Sequence, residues 1–310
     1  MTWGSYYRGD GVIRDVSLGE PPPWREFPRR SLGVPFQPPQ GLQEAVNAAL
    51  SLRRPLLITG TPGSGKSTVI ESVAMELRLG PVLRWHITSR STLNEALYRY
   101  DVLGRIHDQQ LAQPSRPTDD IADFLQLGPL GTAMIPSLKP RGLLIDELDK
   151  SDLDLPSDLL EVLERGEFEI PELTRYSRKD VDVRMWDSED RHRITRGRVQ
   201  CTEFPFIVMT SNGERDFPAA FLRRCIRFVM PKPDNEAIRK VVTAHLGLDL
   251  TDSAPLADLV RGFVSRIQAG DSLAVDQLLN ALFVVAGNDA PHGASRERVL
   301  SLLLQDLNSG

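Results

Sequence analysis

Apolar and polar positions along the chain follow two different patterns, and the change comes near residue 234. Before it, short continuous apolar runs alternate with stretches of helical spacing. "PLLITG" (55–60), "GLLID" (142–146) and "FPFIVMTS" (204–211) are apolar at nearly every position. Runs of this length suit strands covered on both faces, so they predict a parallel sheet with helices on each side. "PVLRWHITS" (81–89) and "CIRFVMPKP" (225–233) also read as strands, while "LQEAVNAALSL" (42–52) and "KSTVIESVAMELRLG" (66–80, ended by Gly80) read as helices. Thr92 followed by Glu95 forms a capping box that opens a helix over "LNEALYRY" (93–100). After Asp234 only helical spacing remains, in "NEAIRKVVTAHLG", "LADLVRGFVSRIQ", "LAVDQLLNALFVV" and "SRERVLSLLLQDL".

Residues 1–40 break both patterns. "GEPPPWREFPRRSLGVPFQPPQG" is too rich in proline and glycine for a regular helix or a central strand, and it predicts an extended surface arm. The expected organisation is an arm over 1–40, an α/β domain over 41–233 and an all-helical domain over 234–310.

Composition narrows the class. The 310 residues are 41% hydrophobic and 25% charged, an ordinary globular balance with length enough for two cores. A net charge of −5 argues against a protein that coats DNA, so any affinity for nucleic acid must be local. Cys201 and Cys225 lie far apart and outside any metal-ligand spacing, which predicts reduced thiols. The five histidines form no H-x-x-x-H pattern, so a zinc site has little support. "MTWGSYYRGDGVIRD" has no apolar segment after a basic start, and no apolar run approaches the ~20 residues that span a bilayer. The expectation is a cytoplasmic protein without a membrane partner.

The chemistry begins at "GTPGSGKS": Gly60, Thr61, Pro62, Gly63, Ser64, Gly65, Lys66 and Ser67, with Thr68 opening the helix that follows. The pattern G-x-x-x-x-G-K-[ST] between a strand and a helix is a phosphate cradle. Its glycines let backbone N–H groups curl toward phosphate oxygens, the helix N-terminus adds partial positive charge, and Lys66 reaches the β- and γ-phosphates. Ser67 offers a hydroxyl to Mg²⁺. Four specified positions match by chance in about one chain of this size in a hundred, and the strand–loop–helix context lowers that further.

A nucleotide site of this kind needs an acidic residue at the end of another strand. "GLLIDELDKS" supplies Asp146 for the Mg²⁺ shell and Glu147 to polarise the attacking water as general base. Asp149 and Lys150 read as a helix cap and a surface charge. At the end of "FIVMTSN", Asn212 is placed to orient the same water. Then "FPAAFLRRC" ends in Arg223 and Arg224, with no carboxylate within four residues on either side.

These motifs, in this order, resemble the AAA+ ATPases and within them the MoxR-type branch, whose members read "GTPGTGKS", "LLIDEIDK", "TSN" and "LPEAFLRRC". The similarity covers residues of about 40 to 235. "FLQLGPLGTA" (124–133) resembles part of that branch's insert into the second helix, expected near 104–138. "EIPELTRYSRKDVDVRMWDSEDRHRITRGRVQC" resembles its second insert, a hairpin expected near 171–201. The resemblance implies a P-loop NTPase sheet followed by a helical lid, and a ring, commonly hexameric, with ATP and Mg²⁺ bound between copies. Arg223 and Arg224 would then reach the γ-phosphate of the adjacent copy's nucleotide in trans. It also implies ATP hydrolysis that remodels or activates a client protein, in this branch often one with a von Willebrand A domain. The family places an arginine at the start of a late lid helix. "GDSLAVDQLLNAL" (270–282) has none, and Arg266 stands shortly before it.

Two alternatives stay open. One is a nucleic-acid-linked NTPase like the McrB-type GTPases, for which the arginine-rich insert is the relevant feature, although its acidic residues roughly cancel its charge. The other is a nucleotide-gated scaffold that scarcely turns over, against which Glu147 argues.

Overall fold

The computed structural model describes residues 6–7, 9–26, 36–111, 120–247, 250, 253–287 and 290–306. Parts of the expected arm (1–5, 8 and 27–35) and of the expected first insert (112–119) lie outside them. The strands are β1 (Leu56–Thr59), β2 (Leu83–His86), β3 (Tyr98–Tyr100), β4 (Leu125–Leu127), β5 (Gly142–Asp146), β6 (Glu167–Glu169), β7 (Asp180–Arg184), β8 (Arg191–Thr195), β9 (Arg198–Gln200), β10 (Phe206–Ser211) and β11 (Ile226–Val229).

The chain forms two compact units. The first to consider comprises Pro38–Thr59 and Lys66–Val229. Its main sheet runs in the order β11-β1-β10-β5-β2, with every neighbouring pair parallel. The three inner strands are buried almost throughout, as their unbroken apolar runs require. At the edges β2 alternates buried with exposed residues, and β11 half-buried with exposed ones, because each has a free side. The register of β10 on β5 pairs Val208 with Leu144 and Met209 with Ile145. This brings the ends of "GLLID" and "FIVMTS" together.

Two sequence expectations change. The helix after the phosphate motif runs from Thr68 to Leu77 and stops at Arg78, which is left-handed (φ 53°), before Gly80 is reached. "LNEALYRY" divides: Leu93–Leu97 is helical, with Thr92 accepting from the Glu95 N–H, and Tyr98–Tyr100 is strand β3. Its alternating large aromatic residues favour a pleated, half-buried surface over further helix, and β3 pairs antiparallel with β4.

β4 belongs to "FLQLGPLGTA", whose remainder forms the buried short helix Pro129–Ala133. At Gly131 an added Cβ would lie 1.9 Å from the Leu97 carbonyl oxygen, so only glycine allows this backbone approach. β3 and β4 enter a second sheet of order β3-β4-β7-β8-β9-β6, in which β7 and β8 form an antiparallel hairpin.

The other unit contains Gly60–Gly65 and Met230–Gly310 together with the N-terminal segment up to Gln37. Its helices are Asn235–Leu246, Ala254–Ala269, Val275–Val285 and Gly293–Leu303. Asp234 caps the first by accepting from the Ala237 N–H at 2.8 Å. The core joins Ile238, Val242, Val260, Phe263, Leu278 and Leu282. Trp24 packs against this core from the N-terminal segment: its indole N–H donates to Asn280 at 3.1 Å, and its ring meets Phe283 and His245 edge-on.

Candidate functional site

Lys66 is the central charge of the α/β unit's site. It is 7% exposed, and its Nζ donates to the Asn212 Oδ1 at 2.8 Å. Burial pushes the ammonium below its ordinary pKa, opposed by the negative charges of Asp149, Asp146 and Glu147, in that order.

Next to it, Ser67 stands at the N-cap of the helix Thr68–Leu77 but makes no side-chain cap bond. Its hydroxyl instead donates to Asp146 Oδ1 at 2.8 Å. The first N–H groups of the helix, with Thr68 exposed at its start, are therefore left without that serine cap, as an anion site requires.

Asp146 ends β5, and its Oδ1 also accepts from the Thr210 hydroxyl at 2.6 Å. Glu147 follows in the left-handed region, φ 61° and ψ 48°, unusual for a residue with a Cβ. The Thr210 oxygen accepts the Glu147 N–H at 2.9 Å, so a single hydroxyl, 1% exposed, ties both acidic residues of this strand end to β10. The Glu147 carboxylate accepts from Lys150 Nζ at 2.8 Å and lies 3.5 Å from His86 Nε2. Lys150 is exposed, as expected of a surface charge, and its pKa is raised by that hydrogen bond. Asp149 does not cap a helix by its side chain: its Oδ2 accepts from the backbone N–H groups of Asn212 and Glu214.

The glycine-rich part of the phosphate motif, Gly60–Gly65, belongs to the helical unit. Gly63 has φ 71°, and a Cβ there would come within 2.9 Å of Ala274 Cβ and the Val275 backbone nitrogen at the start of a helix of that unit. Ser64 donates its N–H to the Thr61 carbonyl at 3.3 Å, and its side-chain oxygen is buried without a hydrogen-bond partner among the described residues. Thr61, Pro62 and Gly65 are partly exposed. Arg266 is engaged within the helical unit, donating to Asp271 at 2.6 Å and to the Leu304 carbonyl at 2.8 Å.

The two arginines differ. Arg224 pairs with Glu164, sixty residues away, and donates to the Ala220 carbonyl at 3.2 Å. Arg223 ends the short helix Ala219–Leu222 with its side chain exposed, while its carbonyl accepts from Arg54 at 3.1 Å. Among the described residues Arg223 makes no ion pair.

Sequence reasoning missed Thr210, Glu164 and His86. A threonine inside "FIVMTS" was a visible signal: a polar residue within a fully buried strand needs a partner. Glu164 carries no such signal, because its pairing depends on how the helix Leu155–Arg165 lies on Ala219–Leu222.

Parallel strands in this order, with Lys66, Ser67, Asp146 and Asn212 meeting at the strand ends, define a P-loop NTPase fold of the AAA+ type. Residues 55–225, more than half of the chain, match the AAA domain of the dynein-related subfamily, and the chain belongs to that family. Comparison with curated proteins finds no match. Among solved structures the chain is similar to NtrX from Brucella abortus in complex with ATP, at 15% identity and a TM-score of 0.45, covering 85% of this chain and 52% of that one. It is also similar to NtrX with ADP, at 14% identity and 0.44, covering 87% and 54%. A third is a point mutant of RuvB from Thermotoga maritima, at 14% identity and 0.43, covering 84% and 67%. The chain spans about half the length of the NtrX chains. No described helix is long and apolar enough to cross a membrane.

Proposed function

We propose that this chain hydrolyses ATP as one member of an AAA+ ring and uses the energy to remodel a partner protein. The observation that carries the reading is the convergence of Lys66, Ser67, Asp146 and Asn212 through three hydrogen bonds: Lys66 to Asn212, and Ser67 and Thr210 to Asp146.

Ser67 Oγ and Asp146 Oδ1 are hard oxygen donors that would hold Mg²⁺. Bound Mg²⁺ supplies charge neutralisation at the β- and γ-phosphates. Lys66 adds a second positive charge there, and Asn212, its present partner, is placed to hold the attacking water. Glu147 accepts the water's proton once its carboxylate leaves Lys150.

Arg223, exposed and without an ion pair among the described residues, is the better placed of the two arginines to serve a neighbouring copy's nucleotide. Arg224 reaches one only by giving up Glu164. An arginine supplied in trans raises the rate of phosphoryl transfer by about 10³- to 10⁵-fold.

Protein remodelling is preferred over nucleic-acid work because four of the insert's arginines are already paired. Arg178 meets Asp120, Arg191 meets Asp123, Arg193 meets Asp182 and Arg198 meets Glu167. A face that already pairs four of its seven arginines within the chain offers phosphates less positive charge than its arginine count suggests.

The test is nucleotide binding and turnover with Mg·ATP and Mg·GTP. The wild type should bind and hydrolyse ATP, and Lys66→Ala should lose binding. Glu147→Gln should keep binding while its turnover falls about 10²- to 10⁴-fold. Unchanged turnover in Glu147→Gln would remove it as the base.

A further inference from the structure

Asp149 is a carboxylate in an unfavourable place. It is 5% exposed, in the single turn Leu148–Lys150 that follows the left-handed Glu147. Its Oδ2 accepts two backbone N–H groups, from Asn212 at 2.9 Å and Glu214 at 3.1 Å. Its Oδ1 is buried with no hydrogen-bond partner among the described residues. A buried carboxylate with one oxygen unsatisfied is costly, and its retention needs a reason.

The reason lies in what the two N–H groups do. The register of β10 ends with Met209 opposite Ile145 on the β5 side and Ser211 opposite Thr59 on the β1 side, so the peptides of Asn212 and Glu214 lie beyond both ladders. The peptides of Asn212 and Glu214 would otherwise lack a fixed partner. Asp149 replaces the missing ladder with a charge-assisted pair of bonds, stronger than the neutral ones it substitutes. The peptide it grips carries the Asn212 side chain, whose Oδ1 meets Lys66 at 2.8 Å. Thr210 makes the reciprocal tie from β10 to Asp146 and Glu147.

We propose that Asp149 is a positioning residue: by clamping the Asn212 and Glu214 peptides it sets the Asn212 side chain on the phosphate centre. The consequence for rate rests on the hydrolysis reading above; the clamp itself does not.

The experiment compares Asp149→Ala and Asp149→Asn in the full chain. An asparagine oxygen still accepts both N–H groups, whereas alanine accepts neither. In Asp149→Ala, amide hydrogen exchange at Asn212 and Glu214 should rise at least about tenfold while β1 and β5 keep their protection. Its kcat should fall about a hundredfold, as a misplaced reacting group costs, with KM for ATP within about threefold of wild type. Asp149→Asn should recover the protection and most of the kcat. Wild-type exchange and kcat in Asp149→Ala would overturn the proposal, and so would protection lost evenly across the sheet, which would make Asp149 a general structural residue. Should the wild type itself fail to hydrolyse ATP, the hydrolysis reading falls, and exchange at Asn212 and Glu214 still decides the clamp.

Discussion

Thr210 concentrates the residue-scale argument in one hydroxyl. It donates to the Asp146 carboxylate and accepts from the Glu147 N–H, so it ties the Asp146 side chain and the Glu147 backbone to β10 together. Valine is nearly the same shape but supplies neither bond, and it leaves a buried N–H without a partner at a cost of about 1–3 kcal/mol. Thr210→Val should lower kcat about tenfold or more with nucleotide binding largely kept; steady-state kinetics beside an equilibrium titration check this. The positions of Lys66, Ser67 and Asp146 were legible in the sequence because fixed spacing beside a strand or helix sets them at adjoining strand ends. The partners of Asp149 and Lys150 were not, since they depend on where β10 ends relative to β5 and on the left-handed turn at Glu147. The arginine pair has no local partner in the sequence, yet Glu164 fills that role for Arg224 from another helix.

Among elements, continuous apolar runs were the most reliable signal, because a strand covered on both faces cannot hide its composition. β3 was the least legible: Tyr98 and Tyr100 continue a helical spacing but serve a sheet built by residues far along the chain. In the helical unit, the last turn of Asn235–Leu246 carries His245 against Trp24. Burial pushes the imidazole below its ordinary range. The unfolded chain therefore takes up the proton first as pH falls below about 6.5, so stability present above that value is lost on acidification toward the folded pKa. Exchange protection of residues 235–246 should drop as pH falls below about 6.5, and His245→Gln should flatten that drop. An equal drop in the variant would assign the effect to other groups.

At the scale of the whole molecule, composition and pattern announced an α/β part and a helical part but could not say how residues 1–40 and the phosphate motif divide between them. Trp24 shows why: one indole among prolines carries no periodic signal, and its partner Asn280 lies 256 residues away. The largest proposal also lives at this scale, that each catalytic centre is completed by Arg223 of another copy. Its most direct test mixes two inactive variants, Arg223→Ala and Glu147→Gln, and follows ATP turnover across mixing ratios. Each alone should run about 10²-fold or more below wild type. The mixture should exceed the weighted sum of its parts, because some contacts then pair an intact Glu147 with an intact Arg223. Turnover equal to that weighted sum at every ratio would contradict the account.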